Sequence, residues 1–311
     1  MKFIKLLLIS FTILISACDI LEENSNNVAS INFSNDAVSS CVDKYATENG
    51  WTLLSDVKKL ECSATDTPFT TNDVNQLSVF TNLEHLYIGQ LYQSSGEYID
   101  FDATEFSNLA FFGCSNCEFS TINFQENEKL TTLAFYYSTL PENLDLSQNE
   151  QLNSVKAFRT KGFEINLADN TRLSEFEWRG NNTIPDSEET VIYINLDVAS
   201  ELSSTIIYGV KIPSLKIDSD NLLTLSISWS NIGNLDVSSN SLSSVRCIHC
   251  NLDEFDTSRI PYIKQIIIPA NNIQNIDVTS NEWLDILDLQ DNPLLESTKE
   301  YLDSLEANVY Y

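Results

Sequence analysis

A short apolar pattern returns along this chain at a nearly fixed interval, and that interval constrains the fold more than any other feature. The pattern apolar-x-x-apolar-x-apolar starts at Val57, Leu83, Leu109, Leu130, Leu152, Leu173, Leu202, Leu222, Leu242, Ile263 and Leu284. Successive starts are 26, 26, 21, 22, 21, 29, 20, 20, 21 and 21 residues apart. Self-similarity of this kind signals a stack of coils in which each unit contacts only its neighbours, so a residue's role follows from its phase in the coil.

A second motif, apolar-polar-apolar, begins 13 or 14 residues after most of these anchors. It occurs as Ile122-Asn123-Phe124, Leu144-Asp145-Leu146, Ile165-Asn166-Leu167, Leu215-Lys216-Ile217, Leu235-Asp236-Val237 and Ile276-Asp277-Val278. Alternation of period two in both motifs predicts two short strands per coil, apolar side inward. Three residues past the last apolar position of each strand, asparagine is favoured. Asn127, Asn149, Asn170, Asn240 and Asn281 follow the second strand, and Asn271 and Asn292 follow the first. A buried asparagine can use both its carbonyl and its amide on backbone groups where the chain turns inward, so a ladder of them would hold the coils in register.

These residues resemble the bacterial leucine-rich repeat family, in the short variant where LxxLxLxxN and LDLSxN alternate within one unit, over Val57 to about Leu295. The resemblance implies a mainly β repeat solenoid: a right-handed leucine-rich repeat rod with parallel sheets, rather straight, with an N-terminal helical cap and a C-terminal cap helix. It implies an interaction scaffold and not an enzyme. The expected organisation is a signal segment at 1–17, a tether at 18–30, a cap at 31–56, the solenoid at 57–292 in about eleven turns, and a closing cap at 293–311.

Terminal coils must be covered, because they otherwise expose apolar surface and strand edges. Residues 36–51 read as an amphipathic lid helix, with Ala37, Cys41, Tyr45 and Trp51 on its buried side. At the other end Ser297 is placed to cap a helix running to about Glu306, with Tyr301, Leu302 and Leu305 turned onto the last repeat.

Two CxxC pairs, Cys114/Cys117 and Cys247/Cys250, invite a four-thiolate zinc site. The repeat separates them by six coils, about 30 Å at strand spacing, whereas zinc needs every sulfur about 2.3 Å from one ion. Both pairs lie five and eight residues past their anchors, so the spacing belongs to the repeat. They are expected to be small buried residues, with local disulfides or redox chemistry as the alternatives. Cys62, five past Val57, and Cys41 on the lid helix form a candidate disulfide pinning the lid, consistent with export.

The N-terminus supplies Lys2 and Lys5, a short apolar run, and Leu14-Ile15-Ser16-Ala17-Cys18, which resembles a lipobox whose Cys18 is acylated. No later segment is apolar enough to span a bilayer, so Cys18 would be the sole anchor, in an outer membrane or at the cell surface rather than at the inner membrane. Removing the signal takes two lysines and no acid from a formal charge of -28, leaving a surface that repels nucleic acid and anionic lipid.

Solvent-facing positions four, six and seven past each anchor gather Tyr87, Tyr136, Tyr137, Lys156, Phe158, Arg159, Arg179, Tyr208, Trp229, Arg246 and His249. Aromatics and arginines anchor interfaces, and this face holds four of the 17 Lys and Arg residues. The other strand shows Asp100, Asp145, Asp236, Asp256 and Asp277; stacked carboxylates are a candidate calcium column, though exposed ones are more often simply solvated. Insertions at 93–98 and 181–193 are secondary candidates for contact. The expected function is a monomeric envelope module that binds a protein or glycan, with no metal or cofactor. The competing classes are a polysaccharide-acting enzyme on a β-solenoid and a purely structural envelope protein. Against the enzyme, His85 and His249 fall in different units, and no nucleophile-base spacing or phosphate loop stands apart from the repeat.

Overall fold

The computed structural model describes residues 26–64, 68–92, 96, 98–162, 164–167, 169–180, 192–197 and 199–311. The signal segment, Cys18, the first part of the tether and most of the two insertions lie outside the described residues.

Each of the anchors lies two residues before a strand of one twelve-stranded sheet, from Lys59–Ser63 after Val57 to Ile286–Asp288 after Leu284. Neighbouring strands follow chain order and are all parallel, because each coil rests on the one before it. The register preserves phase: Phe135 faces Ala157, Ala157 faces Trp178, and Trp178 faces Ile207. Position five past the anchor is therefore one buried column, in which small and large residues alternate from Cys62 as far as Trp178 and large ones follow one another at Ile207 and Ile227. Ala157 leaves room between Phe135 and Trp178, and all three are at most 1% exposed. Burial of each such large side chain contributes about 1.5–3 kcal/mol, so the column and its leucine neighbours are the main source of cohesion. The longest unit leaves this ladder intact, since Glu175–Arg179 pairs directly with Ser204–Tyr208 across it.

The second side of the coil is less regular than the alternating motif predicts. It forms small separate sheets: Ile99–Asp102 with Phe119–Asn123; Asn143–Asp145, Glu164–Asn166 and Tyr193–Ile194 together; and Leu215–Asp218 with Leu235–Ser238. At Ile276 and Val278 the side chains are buried without any strand pairing. Inward packing there is achieved without a ladder.

The asparagine ladder also differs in detail. The Asn149 amide donates to the Phe124 and Asn127 carbonyls at 2.9 and 3.0 Å, and the Asn170 amide donates to those of Leu146 and Asn149 at 3.1 and 2.9 Å. The side-chain carbonyls of Asn127, Asn149 and Asn170 have no partner, so here only the amide works. Asn271 uses both ends: its Oδ1 accepts from the Cys250 and Leu252 amides at 3.0 Å each. Asn240 is not in the ladder. Ser239 takes the buried place, and Asn240 lies outside, donating to Asp220 at 2.8 Å.

Helix α1 (Asp36–Asn49) closes the N-terminal end, capped by the Asn35 side chain on the Ala37 amide and stopped by Gly50 at φ 68°. Its most buried residues are Val38 and Val42, while Ala37, Cys41, Tyr45 and Trp51 flank them. The lid thus presses down on its valine edge, about one residue round from the expected face. Residues 26–30 are not a free tether: Val28 is buried and its amide donates to Thr52 at 2.9 Å. A short helix α2 (Thr71–Asn75) follows the first coil, with a Thr70–Asp73 capping box.

At the far end α3 covers Glu296–Leu302, with Leu302 buried and Tyr301 and Leu305 packed on the core. Ser297 sits inside its first turn, and the N-cap is Leu295 with no side-chain bond. The chain then returns as Asn308–Tyr310, which adds the last strand to the main sheet and covers the edge of Ile286–Asp288. This strand has no anchor before it. No described helix is long and apolar enough to cross a membrane.

Candidate functional site

The outer corner where the main sheet ends is built from an unusual backbone. Position seven past the anchor holds left-handed φ in coil after coil: Gln90 63°, Asn116 53°, Tyr137 53°, Arg159 50°, Gly209 66°, Trp229 52°, His249 52°, Ala270 54° and Asp291 59°. The turn exists because position five faces inward on the strand and position eight must face inward again after it. Polar groups at position eight fix it. Thr160 donates to the Phe135 carbonyl at 3.1 Å, Ser138 Oγ accepts from the Cys117 amide at 3.2 Å, and Asn271 donates to the Cys247 carbonyl at 2.8 Å.

Glycine or asparagine suits such a turn, whereas bulky residues there are strained. Tyr137, Arg159, Trp229 and His249 occupy it nonetheless, and their side chains are exposed. Strain of this kind clusters at functional positions. This left-handed column is the feature that sequence phase alone did not reveal, because the residues filling it are not those that signal a turn.

The same turn explains the CxxC pairs. Asn116 and His249 swing the chain so that two inward positions three residues apart converge, and Cys114–Cys117 and Cys247–Cys250 are disulfides with Cα–Cα distances of 6.2 and 5.7 Å. The expectation of unpaired buried cysteines is corrected accordingly: position fixes the spacing, and the left-handed turn brings the sulfurs together. The lid disulfide Cys41–Cys62 has S–S 1.93 Å and Cα–Cα 5.5 Å.

The aromatic face resolves into separate clusters. Tyr137 meets Phe158 edge to face at 5.7 Å, and the Arg159 guanidinium lies over both rings at 5.5 and 5.7 Å. Trp229 stacks on His249 at 4.1 Å. Nearer the lid, Tyr87 reaches Tyr136 at 6.5 Å across Gly113, where a Cβ would meet the Tyr87 ring at 2.5 Å. Arg179 and Tyr208, paired in register, lie between the Tyr137 and Trp229 clusters, and the neighbouring corner position is Gly209. Arg246 is exposed and faces Ser226 and Ile267 in register, apart from the rings.

The face is less basic than its cations suggest. Glu175 pairs with Lys156 at 2.9 Å and Glu177 pairs with Arg179, two acids on the same strand. The Glu175 hydrogen bond holds the Lys156 ammonium above its ordinary pKa, and Lys156 in turn holds the Glu175 carboxyl low. Among the described residues, Arg159 and Arg246 make no ion pair.

On the acidic side the carboxylates are already engaged. Asp100 accepts from Ser120 and Thr121 at 2.7 Å each, and these bonds lower its pKa. Arg259 bonds Asp236 at 2.6 Å and reaches Asp218 at 3.5 Å. Asp145, Asp256 and Asp277 each accept from a backbone amide two residues on. Among the described residues no group of three or more His, Cys, Asp or Glu is placed to hold a metal.

Inward apolar columns, stacked parallel strands and buried asparagines together define a leucine-rich-repeat β-solenoid. Its neighbours among solved structures are bacterial leucine-rich repeat proteins. The functional domain of InlJ from Listeria monocytogenes, which includes a cysteine ladder, matches at 20% identity and TM-score 0.47. That match covers 78% of this chain and 60% of that one, so the chain spans less than two thirds of that domain. The internalin InlF of the same species matches at 14% identity and TM-score 0.47 over 83% of each chain. A leucine-rich repeat protein of Leptospira interrogans matches at 11% identity and TM-score 0.29, over 86% of this chain and 98% of that one. No protein-family model and no curated protein matches the sequence.

Proposed function

We propose that this chain is a recognition rod of the bacterial cell envelope that binds a protein partner through its aromatic-arginine corner. One observation carries the reading: large exposed side chains occupy strained left-handed positions where glycine would fold more easily. Tyr137 with Arg159 and Trp229 with His249 offer broad, preorganised ring surfaces of the kind that dominate binding energy. The two histidines lie in coils far apart along the stack, which favours binding over acid-base catalysis.

The sequence supports the cellular placement: the lipobox-like Leu14 to Cys18 would give an acylated Cys18, and the polar stretch after it would stand the rod off an outer membrane or cell surface. Replacing Tyr136, Phe158 and Trp229 together with alanine should abolish capture of an envelope partner by the immobilised protein and shift the melting temperature little. Unchanged capture refutes the corner. For the placement, Cys18→Ser should release the chain from membranes, and protease added to intact cells should digest the anchored form; a chain protected until lysis faces inward.

A further inference from the structure

Three successive coils at the N-terminal half carry a groove of about 450 Å³ that has only Tyr137 in common with the aromatic-arginine corner. One wall is position seven, Gln90, Asn116 and Tyr137; the other is position nine, Tyr92, Glu118 and Thr139. Between them the inward residues Leu91, Cys117 and Ser138 form a buried floor. The volume lies within the range of small-ligand sites, about 300–1,000 Å³.

In three successive coils nearer the C-terminus, position nine forms its own side-chain ladder. Asn272 donates to Asn251 at 3.0 Å, and Asn251 donates to Asn231 at 3.4 Å. In the groove this ladder is broken. Among the described residues, the side chains of Gln90, Asn116, Glu118 and Thr139 hydrogen-bond to no other protein group. Two amides, a carboxylate and a hydroxyl with no protein partner thus line one groove together with Tyr92 and Tyr137. Gln90, Asn116 and Tyr137 are held there by left-handed backbone at 63°, 53° and 53°.

The chemistry of this lining selects among ligands. Amides donate and accept at once, a carboxylate accepts from paired hydroxyls, and aromatic faces take up C–H surface. Among the described residues no cation belongs to the lining, and the nearby Arg159 is held over the Tyr137 and Phe158 rings of the corner, so within the groove an anionic ligand meets only Glu118. A lone carboxylate is too little for calcium, which takes six to eight oxygens. What remains is a neutral molecule that is hydroxylated on its edges and apolar on its faces. We propose that the groove is a binding site for a neutral glycan, seated between Tyr92 and Tyr137 and hydrogen-bonded by Gln90, Asn116, Glu118 and Thr139. This goes beyond the protein-binding corner, with which it shares Tyr137 alone.

The test is an array of immobilised neutral and acidic oligosaccharides probed with the labelled full chain, followed by titration calorimetry on the neutral ligands retained. Asn116→Gly and Glu118→Gln should each weaken binding more than tenfold, with Trp283→Ala, at an exposed residue outside the groove lining, as the unaffected control. Glycine suits the left-handed turn, so Asn116→Gly should melt no lower than the parent, which separates loss of the amide from loss of fold. Absence of neutral binding overturns the proposal, as does preference for acidic sugars or retention of affinity in both groove variants. Capture of a protein partner by the corner survives that outcome.

Discussion

The indole of Trp229 lies on the imidazole of His249 with ring centroids 4.1 Å apart and planes 27° from parallel, while both residues hold φ at 52°. Stacking at this distance stabilises by about 0.5–1.5 kcal/mol, and left-handed backbone under a bulky residue costs roughly 1–3 kcal/mol, so the pair is no net asset to folding. Trp229→Gly and His249→Gly should therefore leave the melting temperature unchanged or raise it, while weakening partner capture. A clear fall in melting temperature for both variants would show that the rings serve the fold.

The three disulfides should not contribute equally. Cys41–Cys62 closes a sequence separation of 21 and ties α1 to the first coil, whereas each CxxC bridge closes a separation of 3. On chain entropy a loop of the first size stabilises by about 3 kcal/mol and the short ones by less. Cys41→Ser with Cys62→Ser should lower the melting temperature several degrees and expose the N-terminal strand edge to proteolysis. Cys247→Ser with Cys250→Ser should cost less, and peptide mapping without reductant should recover all three bridges.

Asn149 is a joint between coils, its amide serving the Phe124 and Asn127 carbonyls while its own carbonyl is buried without a partner. Those backbone carbonyls also accept from Asn127 and Leu130 amides, so Asn149→Ala should destabilise by about 1–3 kcal/mol and not more. Asn149→Asp should be worse at neutral pH, because it turns a buried carboxylate toward two carbonyl oxygens. Its folded pKa would be raised, so that variant should recover stability on acidification toward its unfolded value; denaturant melts at pH 7 and pH 4 would show the difference. An aspartate variant as stable as the parent at pH 7 would mean that the ladder is solvated.

How much of this was legible in the sequence follows from how often each signal repeats. Strand positions were, because the apolar phase recurs from Val57 to Leu284 and each strand begins two residues on. The corner turn was not. Tyr137, Arg159 and Trp229 carry no mark of left-handed backbone, and the polar residues that fix it vary among Ser138, Thr160 and Asn271. Single events were also hidden. Ser239 displaces Asn240 because either residue can serve the neighbouring carbonyls, and Asn308–Tyr310 joins the sheet with no repeat to announce it. Of the candidate site, the exposed aromatics were legible as a phase. Their division into clusters depends on Gly209 and on Glu175 and Glu177, residues that carry meaning only once the coils are stacked.

The junction of lid and rod should make stability sensitive to mild acid. Glu61 accepts from Lys59 at 2.9 Å, from His85 at 3.1 Å and from Tyr45 at 3.3 Å, and His85 lies flat on Phe111 at 4.0 Å. Burial and then the nearby Lys59 ammonium lower the His85 pKa, outweighing the pull of Glu61. The Lys59 hydrogen bond lowers that of Glu61 against its partial burial. Both shifts have the same sign. The unfolded chain binds more protons, so each contribution is full above the ordinary pKa and is lost as pH falls, from 6.5 downward for His85 and from 4.5 downward for Glu61. Lys59 and Glu61 are 51% and 42% exposed, so solvent and salt screen the pair and the effect is modest. The melting temperature should fall between pH 7.5 and pH 5.5, and His85→Gln should flatten that segment of the curve while leaving the drop below pH 4.5. A His85→Gln profile parallel to the parent's between pH 7.5 and 5.5 would remove the histidine from this account.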